Sequence, residues 1–379
     1  MTKRFARAAL IVPVLFAAAV ARGADGDDPA PAPPPGVTLH VKDVPPQEAI
    51  AALAKASGIA IEPHHDRMWQ QERPNNRAWP KVTVDADDKP FWDVLLELCD
   101  KAHLRPYPHG GSEKREVVKL MSAHGNGVGR THSTPVATLV LTQISRTLTV
   151  NFQSGDPAAP ARRERASVSL HVYLDPRLRA TQYAYQPVIE AAADQDGRSL
   201  LPADGQDHRS QEHFQQMHYG PWYFDTSTSL KYDPAESTDL SVLQGYVRVR
   251  AATGTDRIEI DDVPNAKGQE KTAAGRKLVV EDVTTDKGRT KLEFSIRRTP
   301  EVSNKEWQAL GSNLFQGFTL LDAAGNRVNY TGGSSTHEPD RYEVTYEGLS
   351  AVPQKLTWEF ATRTAQYNIR FEFQDLPLP

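Results

Sequence analysis

Three evenly spaced histidines are the first residues of the sequence whose type and spacing suggest a metal site. His208, His213 and His218 follow one another at intervals of five residues. On a helix this spacing rotates successive side chains by about 140°, so they would converge on one ion only in a loop. A second short cluster, His-His-Asp, lies at 64–66. We interpret both groups as solvated loop residues and predict neither a metal site nor a cofactor.

Aromatic residues are concentrated in the segment 213–225, which reads HFQQMHYGPWYFD. Exposed aromatic rings beside Asp and Gln side chains suit stacking against sugar rings or binding in the groove of a partner. The alternative is a long loop that folds its rings back over a core. If the segment binds a ligand, the ligand-binding residues are Phe214, Tyr219, Trp222, Tyr223 and Phe224.

The sequence contains no recognisable catalytic motif. Carboxylate pairs such as Asp261 and Asp262 are adjacent, and neighbouring residues on a strand point to opposite faces of the sheet. No serine lies in a G-x-S-x-G or S-x-x-K motif, and no glycine loop of the phosphate-binding type is present. We therefore predict a non-enzymatic protein. A hydrolase that assembles its site from residues distant in sequence is the alternative.

Composition excludes several classes of protein. The 379 residues correspond to two or three domains at about 150 residues per domain. Lys and Arg number 44 against 48 Asp and Glu, a net charge of −4, which argues against a nucleic-acid-binding protein. Cys99 is the only cysteine, so an intramolecular disulfide and a cysteine metal site are excluded. It lies on the apolar stripe of a predicted helix, where we expect it to be buried.

The N-terminus has the pattern of an export signal. Lys3, Arg4 and Arg7 precede the apolar run AALIVPVLFAAAVA, and small residues before Ala24 offer a cleavage site. The sequence thus predicts a signal peptide at 1–23, a Pro-rich linker at 24–36 and a periplasmic or extracellular protein. No later apolar stretch approaches about 18 residues, so we expect no transmembrane span in the mature chain.

A repeat with an offset of 45 residues follows the linker. The segment 37–59 aligns without a gap with the segment 82–104. Each copy predicts a strand, an Asp-x-Pro turn, an amphipathic helix and a second short strand. Asp43 and Asp88 are expected to satisfy free N–H groups at the helix starts. With a last strand near 117–121, the predicted order is β-α-β-β-α-β-β over 37–123.

This segment resembles the secretin and TonB short N-terminal domain. The residues that carry the resemblance are VTLHVKDVPPQEAIAALAKASGI, KVTVDADDKPFWDVLLELCDKAHL and the closing strand VVKLM. The resemblance covers about 85 residues and implies an α+β fold and a protein-protein adaptor role, with no active site. The downstream sequence matches neither a secretin barrel nor a TonB-receptor plug and barrel. We expect a partner protein of the cell envelope to contact aromatic anchors and a strand edge, namely Trp69, Trp79, Val118 and Leu120.

The remainder of the chain alternates apolar and polar residues with a period of two, as antiparallel strands do. We predict a linker at 124–135 and two β-sandwich domains at 136–260 and 261–379. A D-x-x-G motif occurs at Asp194 and again at Asp322, which indicates either two related domains or a common hairpin turn. The complete predicted fold is α+β, with the small module followed by mainly antiparallel sheets.

These observations predict an exported, non-enzymatic adaptor or scaffold of the cell envelope that docks on a protein through the small module. The first alternative is a glycan-binding protein that uses the aromatic segment 213–225. The second is a hydrolase of cell-wall or extracellular polysaccharide, which would require a cleft with two carboxylates at catalytic separation.

Overall fold

The computed structural model describes residues 32–65, 68–69, 79–108, 117–123, 129–151, 161–201, 213–217, 220–232, 237–286, 289–304, 307 and 317–379. The predicted signal peptide and most of the predicted Pro-rich linker lie outside these residues. The described part is mostly β-strand with two α-helices, which confirms the predicted β-rich character. None of the helices in the described part is long and apolar enough to cross a membrane.

The first part of the chain forms a small module in which two helices pack on short sheets. Its elements follow the order that the repeat predicts: β1 Val37–Val44, α1 Pro46–Ser57, β2 Ile61–Pro63, β3 Val82–Lys89, α2 Phe91–Ala102, β4 Leu104–Pro106 and β5 Val118–Ser122. β1 and β3 form an antiparallel two-stranded sheet, and β2, β5 and β4 form a three-stranded sheet. The apolar stripes of both helices lie in one core with the inward residues of β1, β3 and β5.

The two copies of the repeat are related by an approximate two-fold axis. In the β1–β3 pair, Val37 is opposite Lys89 and Val44 is opposite Val82, so that shifting each residue by the repeat offset reproduces the register. His40 and Asp85, which are opposite each other, lie at the centre. The repeat in the sequence is therefore also a repeat in space.

Asp43 and Asp88 have a different role from the predicted one. The helices are preceded by Pro45 and Pro90 as N-cap residues, and neither N-cap makes a side-chain capping bond. Asp43 and Asp88 instead adopt left-handed backbone conformations, with φ of 55° and 48°. Their N–H groups donate to threonine hydroxyls of the opposite copy, on Thr83 at 3.0 Å and on Thr38 at 3.2 Å. The chain turns at these two residues, two positions before the N-cap residues Pro45 and Pro90.

The rest of the described chain is antiparallel sheet. Its strands are β6 Arg130–Thr134, β7 Ala137–Asn151, β8 Ala161–Leu174, β9 Ala180–Ala184, β10 Val188–Asp194, β11 Phe214–Gln216, β12 Tyr223–Lys231, β13 Asp239–Asp261, β14 Glu270–Ala273, β15 Arg276–Asp286, β16 Arg289–Arg298, β17 Phe318–Leu321, β18 Gly332–Glu338, β19 Arg341–Leu349 and β20 Lys355–Pro377. They form a four-stranded sheet β12-β8-β7-β6, a six-stranded sheet β11-β9-β13-β20-β17 in which β10 also pairs with β13, and a five-stranded sheet β14-β15-β16-β19-β18.

Two long strands correct the predicted domain boundary. β13 and β20 pair along almost their whole length, from Asp239 opposite Pro377 to Asp261 opposite Lys355. One half of this pair contributes to a core shared with the four-stranded sheet, and the other half to a core shared with the five-stranded sheet. The C-terminal residues from Ala365 onward thus complete the first core, so 136–260 and 261–379 are not separate units. The predicted boundary was wrong because a period-two pattern does not show where one strand leaves one core for the next.

The D-x-x-G turns have the same geometry in both copies. The carboxylate of Asp194 accepts from the N–H groups of Asp196 and Arg198 at 3.0 and 2.9 Å. Asp322 accepts in the same way from the residues two and four positions later, at 2.9 and 2.8 Å. The glycines of the two turns have φ of 79° and 80°, a conformation that glycine adopts without steric cost. A relation between two whole domains stays a prediction.

The left-handed conformation of Asp88 gives a test of the repeat geometry. Asp88→Ala is expected to lower the free energy of unfolding by about 1 kcal/mol relative to Asp88→Gly, because a Cβ atom is strained at this φ. The same order is expected for Asp43. Urea unfolding of the four variants checks this expectation, and equal stability of the Ala and Gly variants at both positions would contradict it.

Candidate functional site

The small module is fixed on the four-stranded sheet by a buried aromatic cluster. The indole N–H of Trp92, in the first turn of α2, donates to the backbone oxygen of Leu174 at 2.6 Å. The Trp92 ring lies 4.8 Å from the Tyr173 ring and 5.4 Å from the Trp222 ring, between centroids. All three side chains are buried, and they belong to the same hydrophobic cluster as the core of the module. The module and the sheet therefore share one core.

A polar contact beside this cluster supports the same orientation. Oδ1 of Asp93 accepts from the hydroxyl of Thr138 at 3.0 Å and also from the hydroxyl of Ser133. Asp93 lies in the first turn of α2, where a carboxylate interacts favourably with the helix dipole. Arg177 extends the contact to the start of the module, since its guanidinium donates to the backbone oxygen of Pro35 at 2.9 Å.

Below the docked module, the outward face of the four-stranded sheet is polar and forms an open cleft. Strand pairing places Asp225 of β12 opposite His171 of β8, and Ser227 opposite Ser169 in the next outward row. On the other side of β8, Gln143 of β7 is opposite Ser169. The cleft has a volume of about 340 Å³ and is lined by Thr142, Gln143, Ser169, Leu170, His171, Tyr185, Asp225, Thr226 and Ser227.

The centre of the cleft is a histidine–carboxylate pair. Nε2 of His171 lies 3.3 Å from Oδ1 of Asp225, and the hydroxyl of Tyr223 donates to the same oxygen. Burial lowers the pKa of His171 below its ordinary value, and the charge of Asp225 partly opposes this shift. The imidazole is thus neutral near pH 7.

Tyr185 supplies an exposed aromatic ring at the rim of the cleft. The residue is 51% exposed, the highest value among the aromatic residues that the structure describes as exposed large hydrophobics. Its backbone is held in place, because its oxygen accepts from the Thr226 hydroxyl at 3.0 Å and its N–H donates to the His213 oxygen at 3.1 Å. An exposed ring beside a carboxylate, an imidazole and an amide can stack on a flat apolar surface while the polar groups bind hydroxyls.

The structure corrects the predicted aromatic binding surface at 213–225. Trp222, Tyr223 and Phe224 are 2%, 3% and 1% exposed, because they pack against the module or in the core beneath the sheet. Phe214 is half-buried, and the guanidinium of Arg250 covers its ring at 3.9 Å from the centroid. Tyr219 lies outside the described residues. The described rings of this segment are thus buried in the core or covered by other side chains. This agrees with the alternative that the segment folds its rings back over a core.

The predicted partner-binding residues are also placed differently. Val118 and Leu120 are fully buried, and β5 is the central strand of its sheet, paired with β2 on one side and β4 on the other. No strand edge is therefore offered at these residues. Trp69 and Trp79 are half-buried against the module core, with their ring centroids 5.1 Å apart. Which residues contact a partner stays a prediction.

The other residues singled out by type form no site in the described part of the chain. There, His213 is exposed and His64 packs against Tyr107, whereas His208, His218 and Asp66 lie outside it. Within the same residues, no group of three His, Cys, Asp or Glu side chains is arranged to hold a metal ion. Cys99 is buried as predicted, and burial raises the pKa of its thiol well above the ordinary range.

The residues of the cleft were not found by sequence reasoning. His171 and Asp225 are 54 positions apart, and only the register of β8 with β12 brings them together. The one sequence feature that could have indicated them is the period-two pattern, because it places the polar side chains of His171 and Asp225 on the outward face of the sheet. Nothing in the sequence around Tyr185 indicates that its ring is exposed at a cleft.

No family model, curated protein or solved structure matches the chain. The function of the site is therefore inferred from its geometry. The resemblance of the module to the secretin and TonB short N-terminal domain stays a prediction.

Burial lowers the pKa of three histidines, His64, His132 and His171, and these shifts predict how stability depends on pH. Burial lowers the pKa of His171 and of His132, whose Nδ1 accepts from the N–H of Glu372 at 3.3 Å. The unfolded chain therefore takes up these protons first, near pH 6.5, and their contribution to stability falls as the pH decreases through that value. We expect the free energy of unfolding to decrease between pH 7.5 and pH 5.5.

The variant with both His132→Gln and His171→Gln should show a smaller decrease over the same interval. His40→Gln is the opposite control, because a hydrogen bond to Asp85 raises the pKa of His40, so that this residue stabilises the protein at low pH. Urea titrations at each pH measure the effect. An equal decrease in the double variant and in the unsubstituted protein would contradict the assignment.

Proposed function

We propose that the protein is a non-enzymatic binding protein whose cleft on the four-stranded sheet takes a polyhydroxylated ligand such as a glycan. The observation that carries the proposal is the exposed ring of Tyr185 beside the pair of His171 and Asp225. Sugar rings have an apolar face that stacks on an aromatic side chain and hydroxyls that pair with carboxylates and amides. The proposed glycan site is therefore the cleft and not the aromatic segment 213–225.

The composition of the cleft supports binding rather than bond cleavage. Asp225 is the single carboxylate among the lining residues that the structure describes, whereas glycoside hydrolysis ordinarily uses two. The neutral imidazole and the side chains of Gln143, Ser169 and Ser227 act as both donors and acceptors, as hydroxyl recognition requires. The volume of about 340 Å³ lies at the lower end of the range for small-molecule sites.

The proposal also covers the location of the protein and the arrangement of its sheets. We infer that the chain is exported to the periplasm or the cell exterior, on the basis of the predicted signal peptide at 1–23. The facing sheets are proposed to form two β-sandwich bodies that share β13 and β20. This architecture is supported by the hydrophobic clusters that join residues of the four-stranded and six-stranded sheets and of the six-stranded and five-stranded sheets.

The adaptor role of the small module is a second proposal. It is supported by the outward face of β1 and β3, which is exposed and carries His40, Asp85 and Asp87 in contact with one another. This face lies on the far side of the two-stranded sheet from the core that joins the module to the larger sheets. A protein of the cell envelope would bind this face, since the buried side of the module is occupied by its own chain.

Substitution at the rim of the cleft tests the proposed glycan binding. Tyr185→Ala is expected to weaken retention of the protein in gels that contain soluble polysaccharides by about tenfold or more, because the stacking surface is lost. Asp225→Asn should weaken retention as well, since a charged acceptor for hydroxyls is removed. The melting temperature of the Tyr185→Ala variant should be unchanged, because the ring is exposed.

Tyr330→Ala is the matched control, since Tyr330 is also an exposed tyrosine, 44% accessible, but lies beside the five-stranded sheet. This variant should be retained like the unsubstituted protein. Failure of a broad panel of soluble polysaccharides to retain the unsubstituted protein would refute the proposal. Equal retention of the Tyr185→Ala and Tyr330→Ala variants would also refute it.

A further inference from the structure

The edge of the five-stranded sheet at β18 is open in the described part of the chain. β18 pairs with β19 in an unbroken register from Gly332 opposite Glu347 to Glu338 opposite Arg341. Among the described strands, none pairs with the other side of β18. All residues of β18 except Gly332 are exposed. A row of backbone N–H and C=O groups on this side is thus offered to an added strand.

β18 lacks most of the features that protect an edge strand from pairing, and its one carboxylate, Glu338, is at its last position. Its sequence, GGSSTHE, contains neither Pro nor Lys, and its pairing with β19 shows no bulge. Small side chains such as those of Gly333, Ser334 and Ser335 leave the backbone accessible. Because natural sheets blunt their open edges by charge, proline or irregularity, an unprotected edge of seven residues favours a role in strand addition.

One face of this edge presents aromatic rings. Tyr330, just before β18, stacks on Tyr346 with ring centroids 4.3 Å apart, and His337 stacks on Tyr342 at 4.5 Å. Tyr330 and His337 are exposed, whereas Tyr342 and Tyr346 beneath them are buried in the core, and Gly333 lies between the two stacked pairs. An added strand would place every second side chain over this face, where apolar side chains would contact the exposed rings of Tyr330 and His337.

The opposite face of the edge is predominantly acidic. Glu338, Glu343 and Glu347 are exposed there, and the hydroxyl of Thr336 donates to Glu343 at 3.2 Å. Two of these carboxylates have cationic partners: Arg341 lies 2.9 Å from Glu343, and Lys291 of β16 lies 3.9 Å from Glu347. The alternate side chains of an added strand would meet this surface, and cationic side chains complement it.

We propose that the open edge of β18 binds an extended segment of another protein in which apolar residues alternate with Lys or Arg. A second copy of this chain is a poorer occupant, because β18 itself has no cationic lysine or arginine to face Glu338. The site is distinct from the cleft and does not depend on the proposed glycan binding.

A seven-residue peptide that alternates Val with Lys is the probe, measured with the full chain by fluorescence anisotropy. We expect saturable binding, a loss of about tenfold or more with Tyr330→Ala, and a similar loss for a peptide that alternates Val with Glu. A peptide of the same composition with its Val residues contiguous should bind weakly, because its apolar side chains no longer share one face. Tyr185→Ala is the matched control and should bind the alternating peptide normally.

Proline substitution tests the strand geometry itself. Adjacent N–H groups of an edge strand point alternately inward and outward, so one of Ser334→Pro and Ser335→Pro removes an outward donor and leaves the pairing with β19 intact. The variant that keeps the melting temperature should lose peptide binding. Absence of saturable binding at millimolar peptide would overturn the proposal. Binding that is insensitive to Tyr330→Ala and to Glu338→Lys would overturn it as well.

Discussion

The contact of Trp92 with Leu174 joins the two parts of the molecule, and the geometry of the cleft depends on it. The buried indole has one polar atom, and the hydrogen bond of 2.6 Å to Leu174 satisfies that atom at the strand end where the sheet meets the module. From Trp92 the aromatic contacts continue through Tyr173 to Tyr223 and then to His171, over centroid distances of 4.8, 5.3 and 5.5 Å. Packing and hydrogen bonding thus determine together where the His171 imidazole lies. The apolar side of the small module is packed within its own chain, and its outward sheet is exposed.

Local pattern and fold agree where the repeat is strong. The aligned segments 37–59 and 82–104 predict the strands and helices of the module because each carries its own periodicity and its own proline at the helix start. The conformation of Asp43 and Asp88 was not predictable, because the hydroxyl that each N–H meets belongs to the opposite copy, about 40 to 50 residues away. The division at 260 was wrong for a related reason. Alternation describes the two faces of a strand, but which sheet covers each half of β13 is decided by contacts distant in sequence.

The candidate site was even less predictable from the sequence than the domain boundary. Sequence reasoning favoured residues with conspicuous side chains, and in the described part of the chain these are the residues that folding buries, such as Trp222 and Phe224. Large aromatic side chains contribute most when they are removed from water, so their density in a segment indicates a core at least as well as a surface. The cleft is built from ordinary polar residues on three strands, and its composition becomes meaningful only after the register of β7, β8 and β12 is known.

The distance between the module and the four-stranded sheet tests this account most directly. Spin labels at Lys55→Cys on α1 and Ser229→Cys on β12 report this distance by pulsed electron resonance, and the buried thiol of Cys99 should not react with the label. A shared core predicts one narrow distance distribution. This distribution should broaden when Trp92→Ala is introduced and should be unchanged by Trp358→Phe, which lies in the core beside the five-stranded sheet. A broad distribution in the chain that retains Trp92 would contradict the shared core.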